Sequence, residues 1–208
     1  MKVLLINGSS KSKGCTYTAL TEVAKQLEKQ GIETEIFHIG TKAISGCLGC
    51  GVCHTKGRCF MNDSVNEFLD KVAEADAFVF GSPVHFASAS GNLTSFMDRV
   101  FFTDLASKAF NNKPAAAVIS ARRAGTTATF DQINKYFTMS NMPIVSSQYW
   151  NMVHGNTPED IRQDLEGMQI MRTLGNNMAW LLKSIEAGKA AGLPLPEREE
   201  GVYTNFIR

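Results

Sequence analysis

Short apolar runs and helical stripes alternate along this chain. Val3 to Ile6 is an unbroken apolar run, the pattern of a strand buried on both faces of a parallel sheet. Asn7, Gly8 and a loop of small hydroxyl residues follow. In the next stretch Leu20, Val23, Ala24 and Leu27 fall at i, i+3, i+4 and i+7, one face of a helix. Gly31 supplies a C-cap, and Ile32 to His38 alternates as a second strand. A glycine- and cysteine-rich excursion then runs from about 40 to 62. Ser64 and Glu67 have capping-box spacing with Ser64 as N-cap, and Val65, Phe68, Leu69 and Val72 give the helix behind them its buried face. Ala77 to Phe80 reads as a third strand, closed by Gly81, Ser82 and Pro83. The pattern predicts a third helix over about 91–102, a fourth strand over Ala115 to Ile119, a fourth helix to about Met139, and a fifth strand from Pro143. Thr157, Pro158, Glu159 and Asp160 form a helix start, with a hydroxyl N-cap, proline at N1 and acids in the first turn. Ile161, Leu165, Met168, Leu174, Met178, Leu181 and Ile185 continue it as one long stripe, weakened at Gly167 and Gly175.

Strands alternating with helices predict an α/β fold with a doubly wound parallel sheet. At 208 residues, with 44% hydrophobic and 20% charged, the chain suits one soluble globular domain. The expected division is 1–187 for that domain, including the cysteine-rich insertion, and 188–208 for a tail that serves as an oligomerisation arm or frays. A net charge of +1 gives no basic footprint and argues against nucleic acid as the main partner. No apolar run approaches the roughly 20 residues that cross a bilayer. Met1 and Lys2 lead straight into a core strand with no cleavable leader, so a cytoplasmic protein without a membrane partner is expected. Five cysteines then sit in a reducing compartment, and four of them cluster: Cys47, Cys50, Cys53 and Cys59. That clustering points to a metal site or redox chemistry rather than a disulfide scaffold.

Three strand ends carry loops of binding character: 8–16, 81–88 and 120–126. In open α/β sheets ligands sit beyond the carboxyl ends of the strands, and these loops fit the flavodoxin-like order 2-1-3-4-5, where a mononucleotide lies across strands one, three and four. The first loop has neither the G-x-G-x-x-G spacing of a dinucleotide site nor the lysine of a P-loop, because Cys15 and Thr16 follow Gly14. A terminal monophosphate remains as the guest. Ser9, Ser10, Ser12 and Thr16 are its candidate donors and Lys11 a charge partner; the alternative is a solvated loop that caps a helix.

Gly81 to Ser88, with the Ser90–Arg99 stretch behind it, resembles the flavin loop and following helix of the NADPH-dependent FMN reductase family. Adding the C-x2-C-x2-C-x5-C run makes the chain similar to the iron–sulfur flavoprotein branch and its cluster-free relatives, over Val3 to at least Trp180. The resemblance implies that Ser9, Lys11, Ser12, Cys15 and Thr16 hold an FMN phosphate. It places Ser82, Pro83, Val84, His85, Phe86 and Ala87 against the isoalloxazine, with Ser120, Arg122, Arg123, Gly125 and Thr126 closing the other side. Cys15 stands where many relatives have asparagine, and His85 where an aromatic is common. His85 is a candidate donor of a hydrogen bond or proton to a reduced substrate, or else a packing residue. Arg122 and Arg123 either add positive charge near the flavin, bind a nicotinamide phosphate, or are simply solvated.

The cysteine spacing resembles the run that ligates a 4Fe–4S cluster, with Cys59 completing four ligands. Tetrahedral zinc usually takes two separated pairs, and a loop of free thiols is the third possibility. The family implies FMN as cofactor, NAD(P)H as donor, a small flavin, quinone or similar acceptor, and a homodimer or homotetramer. Its cluster-bearing branch implies ferredoxin as electron partner. The expected function is therefore an FMN-dependent oxidoreductase fed by NAD(P)H, or alternatively a ferredoxin-linked iron–sulfur flavoprotein. A redox-sensing or zinc-stabilised binding protein with an empty flavin site is the reading from outside enzymology.

Overall fold

The computed structural model describes residues 1–197, 199 and 201–206. Five parallel strands form its sheet: β1 (Lys2–Asn7), β2 (Glu33–His38), β3 (Ala77–His85), β5 (Ala115–Ala121) and β6 (Met152–His154). Their spatial order is β2-β1-β3-β5-β6, which is 2-1-3-4-5 when the parallel strands alone are counted. A two-residue strand, β4 (Ser88–Ala89), pairs antiparallel with the end of β3 through Val84–Ala89 and His85–Ser88.

Period-two alternation divides the strand side chains between two cores. Leu4, Ile6, Phe78, Phe80, Ala115, Ala117 and Ile119 face one layer; Val3, Leu5, Ala77, Val79, Ala116 and Val118 face the other. The first layer holds α3 (Ser64–Val72), α4 (Gly91–Ser107) and α5 (Thr126–Met139), and is filled largely by phenylalanines, among them Phe68, Phe96, Phe101, Phe110 and Phe137. The second holds α1 (Cys15–Lys29), α6 (Pro158–Gln163) and α7 (Leu165–Ala190). The alanines of β5 keep both layers close to the sheet.

Several expectations change. Gly81, Ser82 and Pro83 do not close the third strand: Gly81 pairs with both Asn7 and Val118, and Ser82 and Pro83 pair with Ile119 and Ser120. Tertiary pairing overrides their turn propensity, and Pro83 lies where the sheet is about to lose its neighbours. The fifth strand does not begin at Pro143, because Ile144 makes only an isolated bridge to Ala115 and regular pairing starts at Met152. The N-cap of α3 is Asp63 rather than Ser64, its carboxylate accepting from the Val65 amide. The long stripe after Thr157 is two helices, broken at Asp164, which caps α7 by accepting from Gly167 N–H. The cysteine segment contains one short helix, α2 (Val52–Lys56). Beyond α7, Leu193, Leu195, Val202, Tyr203 and Phe206 are exposed; the rest of the expected arm, at Arg198, Glu200, Ile207 and Arg208, lies outside the described residues. Among the described residues no helix is long and apolar enough to cross a membrane.

Candidate functional site

The parallel strands bring three loops to one edge. After β1, buried Asn7 organises the first: its amide oxygen accepts from Ser9 N–H at 3.1 Å, and its Nδ2 donates to the Lys11 and Ser12 carbonyls at 3.4 and 3.2 Å. The Ser9 hydroxyl accepts from Lys11 N–H at 3.1 Å, and His38 at the end of β2 contacts the Ser9 carbonyl through Nε2 at 2.8 Å. Ser10, Lys11 and Ser12 are left exposed around the loop while Ser9 is buried. Helix α1 then starts from Gly14, with no side-chain cap and no acid in its first turn. Its leading N–H groups and positive end are therefore left without a side-chain partner, an end that favours negative charge.

Thr16 and Ser120 tie the first loop to the third, their hydroxyls 2.8 Å apart. Cys15 donates to the Gly155 carbonyl at 3.8 Å, and burial pushes its thiol pKa up, so this cysteine is a neutral hydrogen-bonding group. Ser90, the N-cap of α4, joins the first loop to the second: its hydroxyl donates to the Gly8 carbonyl at 2.7 Å, and its N–H donates to the Ser82 hydroxyl at 3.1 Å. The Ser82 hydroxyl also donates to the Pro83 carbonyl, so this fully buried side chain serves the loop's own geometry.

At the loop tip Phe86 and Ala87 hold φ of 51° and 58°, a region non-glycine residues enter at a cost of about 1–3 kcal/mol. Both are exposed, as is His85. Two contacts hold the strained turn. Gln132 of α5 accepts from Ser88 Oγ and Ala89 N–H, both at 2.9 Å. Gly125, at φ 92°, lies so close that an added Cβ would stand 2.9 Å from Ala87 Cα and from Val84 Cγ1. Arg122 and Arg123 project into solvent beside this turn, and Thr126 is buried at the start of α5. A backbone cradle with exposed apolar tips and a bare helix end thus spans the carboxyl edge of β1, β3 and β5.

The four clustered cysteines form a second centre. All four line one small surface pocket, together with Arg99, Phe102 and Thr103 of α4. Cys47 and Cys50 are exposed, Cys53 is buried and Cys59 half-buried. Asn66 of α3 fixes the backbone at Cys59, accepting from its N–H at 3.0 Å and donating to its carbonyl at 2.8 Å. Arg99 is 1% exposed. Its Nε and Nη2 each lie 3.3 Å from Cys59 Sγ, and its Nη1 and Nη2 grip Asp63 at 2.6 and 2.9 Å. Burial opposes its charge, but the bonds to Asp63 and Cys59 outweigh that and hold the guanidinium pKa above its ordinary value. Among the described residues no three His, Cys, Asp or Glu side chains close on one point tightly enough for a single ion. Four thiols lining one pocket are the donor set that an iron–sulfur cluster takes.

The sequence reading missed Asn7, His38, Ser90, Asn66, Arg99 and Gln132. One local sign was a polar residue within an apolar stretch, as at Asn7 behind Ile6 and the Asp98–Arg99 pair between Met97 and Val100, and Ser90 and Arg99 also bound the stretch that carries the family resemblance.

Sheet order and carboxyl-edge loops define a flavodoxin-like α/β protein. It resembles the solved structure of a flavodoxin from the domain Archaea at a TM-score of 0.59 and 16% identity, covering 88% of this chain and 99% of that one. More narrowly, the chain belongs to the NADPH-dependent FMN reductase family, whose model matches residues 1–157. An iron–sulfur flavoprotein of Methanocaldococcus jannaschii is 32% identical over 192 residues, covering 89% of this chain and all of that protein. The structure of RosB bound to 8-demethyl-8-formylriboflavin-5'-phosphate superposes at a TM-score of 0.69 with 17% identity, over 99% of this chain and 92% of that one. Family membership supports a flavin-dependent oxidoreductase or electron-transfer role.

Proposed function

We propose that this chain is an FMN-dependent oxidoreductase in which the cysteine cavity holds a 4Fe–4S cluster that exchanges electrons with the flavin. One observation carries this reading: helix α4 caps the flavin loops with Ser90 and reaches Cys59 with Arg99. At the helical rise of 1.5 Å per residue these points are about 14 Å apart along one rigid rod. FMN, when bound, supplies the redox chemistry, exchanging electrons singly with a one-electron carrier and in pairs with a small acceptor. The chain supplies position and charge. The α1 N-terminus and the 9–12 backbone receive the phosphate, and Ser9 and Thr16 set that loop's shape. Residues 83–87 present a backbone shelf to the ring, and the exposed His85 and Phe86 leave room above it for a small acceptor. Cys47, Cys50, Cys53 and Cys59 are the cluster ligands, and a soluble one-electron carrier of the ferredoxin kind is the electron partner.

A second reading keeps the flavin site and leaves the thiols free, with NAD(P)H as donor. The exposed arginines at 122 and 123, beside the flavin turn, favour it, since a nucleotide phosphate could bind there. Absorption spectra of protein purified without oxygen separate the two. The first reading gives flavin bands over a broad iron–sulfur background and faster bleaching by reduced ferredoxin than by NADPH. Flavin bands alone, bleached at once by NADPH, give the second. Protein that stays colourless after incubation with FMN contradicts both.

A further inference from the structure

Arg99 has the features of a group built for the cysteine centre. A guanidinium stays charged at every accessible pH, and one this deeply buried needs its charge answered. Asp63 answers it with both carboxylate oxygens, at 2.6 and 2.9 Å. Carbonyls take further donor capacity: Met61 at 3.1 Å from Nη2 and Ser45 at 3.4 Å from Nη1. The ion pair alone would stabilise the fold. Yet the fork is turned so that Nε and Nη2 straddle Cys59 Sγ at equal distances of 3.3 Å. A thiol accepts weakly, so two N–H donors on one neutral sulfur gain little; a metal-bound thiolate is a far better acceptor. The same side chain lines the cavity that the other three cysteines share.

We propose that Arg99 is a positioning residue that orients Cys59 as the fourth cluster ligand and raises the cluster's reduction potential. The inference rests on the cluster reading above. One-electron reduction adds one negative charge to the cluster and its thiolates and takes up no proton. A fixed positive charge donating two hydrogen bonds to a ligating sulfur therefore stabilises the reduced state more than the oxidised one. Asp63 holds the guanidinium in register, and its charge offsets only part of the effect because its side chain is 35% exposed to screening water.

The test is a redox titration, with dithionite as reductant and the reduced cluster followed by its electron paramagnetic resonance signal, on wild-type holoprotein, R99K and R99M/D63N. The double variant removes both members of the ion pair, so no carboxylate is left unanswered. R99K keeps the charge but not the two-donor fork, and remains informative if the double variant does not fold. Expected is a downward shift of the cluster potential in both, larger in R99M/D63N, with iron content and FMN affinity preserved. An unchanged potential in a variant that retains its cluster overturns the inference while leaving the cluster reading intact. Loss of the cluster from both variants overturns the claim on the potential, by leaving Arg99 only as a holder of Cys59. Wild-type protein with no iron signal overturns the cluster reading itself, and this inference with it.

Discussion

Two buried asparagines do the same work in the two loops. Asn7 holds the first loop through the Ser9 amide and the Lys11 and Ser12 carbonyls, and Asn66 holds the Cys59 turn through one amide and two carbonyls. An amide suits both because it donates and accepts at once, matching a backbone that offers an N–H on one side and carbonyls on the other. The Asn7→Ala variant leaves those groups unpaired in a buried setting and is expected to cost about 2 kcal/mol of stability. Because the loop's shape is what it loses, FMN affinity should fall by about tenfold, roughly 1.4 kcal/mol. Riboflavin, which lacks the phosphate, should lose little. Titration of both flavins by fluorescence quenching checks this, and equal weakening of the two would place the phosphate elsewhere. Ser9, Lys11, Ser12 and Thr16 were legible as a loop of donors. That Ser9 and Thr16 spend their hydroxyls on Lys11 and Ser120 was not, since those bonds depend on a turn geometry and on a strand far away in the chain.

At the scale of elements, α4 is the organising rod. Ser90 engages Gly8 and Ser82, Asn92 holds the chain entering the cysteine segment through the Ile44 amide and the Lys42 carbonyl, and Arg99 reaches Cys59. Its apolar stripe was readable because Leu93, Phe96, Met97 and Val100 repeat at helical period. Its polar positions, which do the connecting, carry no such period. The misread elements have a common cause. Local propensity makes Gly81 to Pro83 a turn and starts a strand at Pro143, whereas pairing with β5 decides both: it extends β3 through the turn residues and leaves Ile144 with one bridge. The glycine of α7 that looked like a helix weakener has a packing role. A Cβ at Gly175 would meet Gln26 Cβ at 2.8 Å and the Val23 carbonyl at 3.1 Å, so this glycine lets α1 and α7 touch. Gly175→Val should destabilise the fold by about 2 kcal/mol through overpacking, despite valine's better helix propensity. Urea unfolding gives the number, and an unchanged or raised midpoint would mean the helices separate at no cost.

For the whole molecule, the alternation of strands and helices was enough to foresee a parallel sheet covered on both faces, while its order was legible from the binding loops at three strand ends. The edge at which the three loops meet follows from that topology. Convergence of the cysteines does not. Spacing puts Cys47, Cys50 and Cys53 in one segment, but only the docking of that segment against α3 and α4 brings them to one pocket with Cys59 and Arg99. The central claim is that two separate centres, flavin loops and cysteine cavity, share one chain and are joined by α4. Counting iron and FMN per chain in anaerobically purified wild-type protein and in the Cys50→Ser, Cys53→Ser double variant tests it most directly. About four iron atoms and one FMN are expected in the wild type, and FMN without iron in the variant. Wild-type protein free of iron, or flavin lost together with the two thiols, would contradict the account.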